Sequence, residues 1–234
     1  MFEVQGKRVK TDNPFGAGCD NACIYCYAPQ QGKRHKKSCY LCGEFRPHFH
    51  LERVRRNNYG KDNIWFVESL GDMWGYWVDI HHQQMVMEKC RYADKSNQFY
   101  FCTKNPNGYV HYFEVYPDDI RDNFYFGFTL ETNREIATHI SKAPSPSTRL
   151  YNMKMFVDKN PLAKIFVSIE PVMAFDLEAM NNSIKALEPE FVYIGHDNHH
   201  HELPDARTDD VLRLIDRMEK YTEVRKKTIR QVFN

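Results

Sequence analysis

Three cysteines stand close together near the start of the chain, in Gly18-Cys19-Asp20-Asn21-Ala22-Cys23-Ile24-Tyr25-Cys26-Tyr27, at spacing C-x3-C-x2-C. Thiolates at this density, in a sequence without a recognisable secretory signal, read as metal ligands and not as a disulfide framework. Structural zinc takes four closed positions, and a fully protein-ligated iron–sulfur cluster uses four cysteines. Three thiolates can hold three irons of a 4Fe–4S cluster and leave the fourth open, and an open metal position is where a substrate or cofactor binds. Pro14, Gly16 and Gly18 lead in, so the backbone can turn tightly around a bulky group. A second set follows. Cys39 and Cys42 form a C-x2-C, with His48 and His50 just beyond. Cys2His2 is a zinc set, although His-x-His is tighter than the usual gap of roughly three to five residues. The alternatives are that the two thiols pack as small hydrophobes while the histidines cap the loop, or that one of these groups faces the cluster pocket.

The triad, with Tyr25 just before its last cysteine, resembles the radical S-adenosylmethionine (SAM) superfamily. The likeness runs on through Cys39-Tyr40-Leu41-Cys42-Gly43-Glu44-Phe45-Arg46-Pro47-His48-Phe49-His50, Phe66-Val67-Glu68-Ser69-Leu70-Gly71-Asp72-Met73 and Ser168-Ile169-Glu170-Pro171, and covers the chain to about Gly195. These stretches resemble a small phage- and prokaryote-associated radical SAM family of unassigned function, akin to the spore photoproduct lyase branch. The resemblance implies a 4Fe–4S cluster on Cys19, Cys23 and Cys26 whose open iron chelates the amino and carboxylate groups of SAM. It implies reductive cleavage of SAM to methionine and a 5′-deoxyadenosyl radical, which abstracts hydrogen from a substrate. It also implies a reductase, or a flavodoxin- or ferredoxin-type electron donor.

Alternating elements must position these groups. The apolar runs Ile64-Trp65-Phe66-Val67, Phe99-Tyr100-Phe101-Cys102 and Phe191-Val192-Tyr193-Ile194, with stretches 124–130 and 164–169, predict strands buried on both faces. A weaker, basic strand is expected at 5–10. Helices are expected around Trp77, Ile80 and Met87, at 109–116, around Ile136 and Ile140, from a cap at Ser147 or Thr148 to Asn160, on the stripe Leu177, Met180, Ile184 and Leu187, and from Thr208 with Val211, Leu212, Ile215 and Met218 inward. Such alternation implies parallel βαβ units. Five clear strands and one weaker one are too few for a closed eight-stranded barrel. The expected fold class is α/β, and the resemblance supplies its name: a partial (β/α)6 TIM-like barrel of radical SAM type, open on one side. A single radical SAM domain is expected over 1–234, with a cluster loop at 14–30, a cysteine/histidine insertion at 31–58 and a basic tail at 223–234.

In parallel α/β folds the carboxyl ends of strands carry function, which shortlists residues. Ser69 and Asp72 occupy the turn where radical SAM proteins place a Gly-Gly-Glu-like segment against the SAM amino group; Asp72 also reads as a helix cap. Thr129 and Glu131 are candidates for ribose hydroxyls. Arg149 resembles the family's arginine near the SAM carboxylate, with a surface ion pair as the alternative. Tyr25, Ser69, Asp72, Glu131, Arg149 and Ser168 make the expected cofactor-binding set. Glu170, Cys102, His196 and Asp197 are pocket candidates for catalysis: a carboxylate in an apolar barrel mouth is costly unless used, and Cys102 could return a hydrogen atom. His199 to His201 read as a solvated loop.

The formal net charge of +1 does not by itself predict nucleic-acid binding. A local basic run, Lys33-Arg34-His35-Lys36-Lys37, suits a solvated loop or a phosphate contact. No stretch approaches the ~18 apolar residues of a membrane span, and seven cysteines without secretory context point to a reducing cytoplasm. With the lyase kinship, a nucleobase or nucleic-acid modification is the expected reaction. The alternative is a non-catalytic, zinc-containing nucleic-acid-binding module.

Overall fold

The computed structural model describes residues 3–4, 6–56, 58–199 and 201–230. Strands and helices alternate: β1 (Glu3–Val4), β2 (Lys7–Asp12), α1 (Ala28–Arg34), α2 (Tyr40–Gly43), α3 (Leu51–Arg56), β3 (Ile64–Val67), α4 (Ile80–Arg91), β4 (Gln98–Thr103), α5 (Asn107–Val115), β5 (Phe124–Thr129), α6 (Pro146–Lys159), β6 (Lys164–Ile169), α7 (Leu177–Lys185), β7 (Phe191–Ile194), α8 (Thr208–Met218) and β8 (Glu223–Lys226). The strands lie side by side in chain order. Among the strands of the described residues only β1 and β2 pair antiparallel. The seven parallel strands β2 to β8 curl through 210° into a half-barrel open on one side, as the α/β partial-barrel expectation requires. Among the described residues no helix is long and apolar enough to cross a membrane.

Strand residues alternate between two buried clusters, because successive side chains point to opposite faces. Phe99, Phe101, Phe124, Phe126, Phe128, Val167 and Ile194 join Met87, Tyr109, Phe156, Ile184 and Leu214 of the helices in the larger core. Fully burying each such side chain contributes about 1.5–3 kcal/mol. The intervening residues face the concave side. Val9, Ile64, Tyr100, Phe166, Phe191 and Tyr193 fill it, with Phe66, Cys102 and Tyr125 packed against them. Register explains the fit: Cys102, Gly127 and Phe166 share one row across β4, β5 and β6. The Phe166 ring lies over Gly127, where a Cβ would come within 2.2 Å of its Cζ. It also stacks on Phe191 at 5.0 Å. These rings form a floor, so the space left in the half-barrel lies above them, at the carboxyl ends of the strands.

Several elements differ from expectation. The first parallel strand is Lys7–Asp12, two residues later than 5–10. No helix forms around Ile136 and Ile140; the segment is a turn in which Ala137 O accepts from Ile140 N at 2.9 Å. Helix α6 is capped by Ser145 and not by Ser147 or Thr148: Ser145 Oγ accepts from Thr148 N at 3.2 Å, and Pro146 opens the first turn. Leu214 of α8 is buried and Leu212 is exposed. The tail expectation for 223–234 is corrected where β8 forms: Glu223–Lys226 pairs in parallel with β7. Its Arg225 lies over the Phe191 ring at 3.6 Å and donates to Tyr193 Oη at 3.1 Å, covering the edge of the floor. Residues 231–234 lie outside the described residues.

The floor yields a packing prediction. Gly127→Ala should lower stability by about 1–3 kcal/mol, since Phe166 must leave its place. Urea unfolding should show a lower midpoint with unchanged slope. An unaltered midpoint would contradict this packing.

Candidate active site

Above the floor, loop 13–27 and the carboxyl ends of β3 to β7 surround a cavity of about 1190 Å³. Pockets for one drug-sized ligand run to roughly 300–1,000 Å³, so this one has room for a cofactor beside a substrate. Cys19, Cys23 and Cys26 all line it and all are free thiols. The loop carrying them is tied at three points. Gly18 N donates to Leu70 O at 3.2 Å, Ile24 N to Ile140 O at 3.0 Å, and Lys142 N to Asn21 O at 2.8 Å. The turn at 137–142 is therefore a strap across the cysteine loop.

The thiols suit a cluster. Burial, and after it the Asp72 carboxylate and the other two cysteines, push Cys19 well above the ordinary thiol range; burial also raises Cys26. Bare Cys19 and Cys26 in this setting keep their protons, which a bound metal would replace. Among the described residues the grouping compact enough for a single ion is Cys39, Cys42, His48 and His50. The triad is not part of it, as suits three ligands spread around a larger cluster.

Two buried carboxylates fix this loop from below. Asp72 accepts from Asn21 Nδ2 at 3.2 Å, Trp74 N at 3.1 Å, Thr103 Oγ1 at 2.7 Å and Lys104 N at 2.9 Å. Burial raises its carboxyl, and these four donors oppose the rise. Asp72 thus joins the cysteine loop to the end of β4, with its acceptor sites in use. Glu131 is fully buried and accepts from the Tyr25 hydroxyl, from Lys104 Nζ and, at 2.6 Å, from Arg149 Nη1. Arg149 is buried too and also donates to Thr129 O at 2.8 Å and Pro144 O at 2.7 Å. Burial alone would raise Glu131, but Lys104 and Arg149 hold it well below the usual carboxylate range. Neither Glu131 nor Arg149 lines the cavity. Glu131 and Arg149, expected near the ribose hydroxyls and the SAM carboxylate, lie behind the cavity wall and pair with each other. Glu131 holds the hydroxyl of Tyr25, a residue that does line the cavity.

The other shortlisted residues divide. Ser69, Ser168, Cys102 and Glu170 line the cavity. Ser69 Oγ donates to Asn13 Oδ1 at 3.0 Å, and its carbonyl accepts from Tyr27 Oη at 2.7 Å. Ser168 sits beside Thr129 in register. Cys102 Sγ lies 3.8 Å from Thr129 Oγ1, and burial pushes its thiol up to about 11. Glu170 is not an isolated carboxylate in an apolar mouth: Lys227, just past β8, pairs with it. His196 and Asp197 are buried at the cavity wall. His196 Nδ1 accepts from Arg230 N at 3.3 Å, and its Nε2 has no partner among the described residues. Asp197 is used locally, accepting from His199 N at 3.0 Å and His201 N at 2.6 Å. His200 lies outside the described residues. Cys39, Cys42, His48 and His50 converge on one another, and none of them lines the cavity that the cysteine triad faces.

One residue was missed. Glu68 follows β3 with φ of 63°, a left-handed backbone that turns its carboxylate inward. One oxygen accepts from Phe15 N at 2.8 Å; the other, Oε1, is buried without a partner among the described residues. The residue lines the cavity, and burial holds its carboxyl well above the ordinary range. Its position as the first residue after an apolar strand was the available signal.

Removing the Glu131 carboxylate leaves Lys104 and Arg149 buried and uncompensated. Glu131→Ala should cost about 3–5 kcal/mol in urea unfolding at neutral pH. The folded carboxyl titrates below its unfolded value of about 4.3, so its contribution is complete above that value. The wild-type-minus-Glu131→Gln stability difference should be constant near neutrality and shrink as pH falls through the folded-state value. A difference that grows on acidification would contradict the assignment.

No protein-family model matches the sequence, and no curated protein is significantly similar to it. Solved structures do resemble it. A spore photoproduct lyase variant, solved with AdoMet and a dinucleoside spore photoproduct, matches with a TM-score of 0.57 and 12% identity over 90% of this chain and 61% of that one. SuiB of Streptococcus suis bound to S-adenosylmethionine matches with a TM-score of 0.55 and 9% identity over 93% of this chain and 50% of that one. The chain thus spans less than two thirds of the length of these structures. In fold, it is similar to radical SAM enzymes solved with their cofactor in place.

Proposed function

We propose that this protein is a radical SAM enzyme. The observation that carries the reading is that Cys19, Cys23 and Cys26 line one cavity at the carboxyl ends of the parallel strands, on a loop fastened by Asp72 and Glu131. A 4Fe–4S cluster on these cysteines would supply the electron that divides SAM into methionine and a 5′-deoxyadenosyl radical, from a donor such as a flavodoxin, a ferredoxin or a reductase. Glu68 lines the cavity and is a candidate partner for a cofactor ammonium. Ser69 and Ser168 offer cavity-facing positions to cofactor polar groups. Lys104 and Arg149 both pair with Glu131, which holds the Tyr25 hydroxyl and with it the cysteine loop. Cys102 holds its proton at neutral pH and stands in the cavity as a hydrogen donor within reach of a substrate.

The substrate we favour is a nucleobase or nucleotide. Phe66, Tyr27 and Tyr193 offer rings for stacking along the cavity, and Arg8 and Lys10 bring positive charge to its β2 side. The lyase structure with its dinucleoside photoproduct supports the same class. The non-catalytic zinc-module reading is less favoured, because the three cysteines face a large cavity instead of closing around one ion.

Anaerobic protein, reconstituted with iron and sulfide and given dithionite and SAM, should form 5′-deoxyadenosine, detectable by chromatography. Cys23→Ala should abolish it. A reconstituted protein that yields none, or a variant that yields as much as wild type, would overturn the reading.

A further inference from the structure

We propose that Cys39, Cys42, His48 and His50 hold one structural zinc ion, separate from the cysteine triad, which braces the chain just before Cys19. The four ligand atoms all lie within 4.8 Å of one another. His48 Nε2 is 3.4 Å from Cys39 Sγ and 3.3 Å from Cys42 Sγ, and His50 Nε2 is 3.4 Å from Cys42 Sγ. Zn–S bonds of about 2.3 Å and Zn–N bonds of about 2.0–2.1 Å at tetrahedral angles put ligand atoms about 3.3–3.8 Å apart. The two imidazole nitrogens, 2.7 Å apart, are closer than this. An ion between them opens that gap by less than about 1 Å.

The surroundings prepare both rings as ligands. His48 Nδ1–H donates to Arg46 O at 2.7 Å, and His50 Nδ1–H donates to Glu52 Oε1 at 2.6 Å. Each bond sets the tautomer that leaves Nε2 unprotonated and turned toward the thiols, the outer-shell arrangement of metal-binding histidines. The sulfurs are supported as well. Cys42 N donates to Cys39 Sγ at 3.5 Å, Ala17 N donates to Cys42 Sγ at 3.5 Å, and Arg53 Nη2 stands 3.9 Å from Cys42 Sγ. Four protein ligands close the site, which marks it as structural. A two-iron cluster with the same ligand types would separate the cysteine pair from the histidine pair on different irons, whereas here both imidazoles touch Cys42.

The segment needs such a tie. Helix α2 has four residues and buries only Cys42, while Tyr40 and Leu41 are exposed. The tie reaches the triad through the backbone. His50 N donates to Pro14 O at 2.7 Å, and Arg53 Nη1 donates to Asn13 O at 2.7 Å. Gly16, at φ of 68°, passes so close that a Cβ there would lie 2.7 Å from His48 Cε1 and 3.0 Å from Cys42 Sγ.

Metal analysis of protein purified without added metal tests this. Wild type and a Cys19→Ala/Cys23→Ala/Cys26→Ala variant should each carry one zinc per chain, and Cys39→Ser/Cys42→Ser should lose it. Zinc that disappears with the triad, or persists without Cys39 and Cys42, overturns the proposal. Should the Cys39→Ser/Cys42→Ser variant fail to fold, cobalt substitution in the triad variant decides. Intense visible bands of four-coordinate cobalt, with thiolate charge transfer, are expected; the weak bands of six-coordinate cobalt would overturn it.

Discussion

The Glu131 carboxylate, buried with two cations and a phenol, is the interaction on which the site depends. It draws together the cysteine loop through Tyr25, the end of β4 through Lys104 and helix α6 through Arg149. Taking one carboxylate and two cations out of water is costly, and the shared ion pairs and hydrogen bonds offset part of that cost. Arg149 completes it by donating to two backbone carbonyls. Asp72 works in parallel, joining Asn21 of the loop to Thr103 and Lys104. A cysteine loop has little apolar surface with which to fix itself. Here two buried acids at the strand ends fix it from beneath, and the 137–142 strap holds it from the side.

The half-barrel makes room for this by stopping its own core halfway up. Phe166 over Gly127, Phe191 beside it and Arg225 at the edge close the lower part of the concave face. Polar and charged side chains then replace rings at the strand ends, where Glu68, Lys104, Thr129, Ser168 and Glu170 surround the cavity. The same alternation that buries one face of each strand against helices therefore also grades the other face from packing to chemistry.

Much of this was legible because it depends on local pattern. The cysteine spacing, the apolar runs of β3, β4 and β7 and the stripe of α7 are carried by residues close in sequence. What was missed depends on distant partners. Strand β8 has one apolar residue, Val224, because it ends the sheet and carries charges there, as edge strands do. The 132–144 region shows apolar residues at helical spacing, yet it serves as a strap with Ile140 O bonded to Ile24 N. Glu131 and Arg149 read as ligand-binding residues because their types and strand-end positions suit that role. Only the tertiary structure shows that they neutralise each other. Glu68 was overlooked because its place after an apolar strand, the one local signal, does not reveal its left-handed backbone.

The central claim is that the three cysteines, held by these acids, leave one metal position open to SAM at the cavity. The most direct measurement is the electron paramagnetic resonance spectrum of the reduced, reconstituted protein with and without SAM. The account predicts a 4Fe–4S signal that changes when SAM is added and is absent in Cys23→Ala. A cluster signal indifferent to SAM, or one that survives loss of Cys23 unaltered, would contradict it.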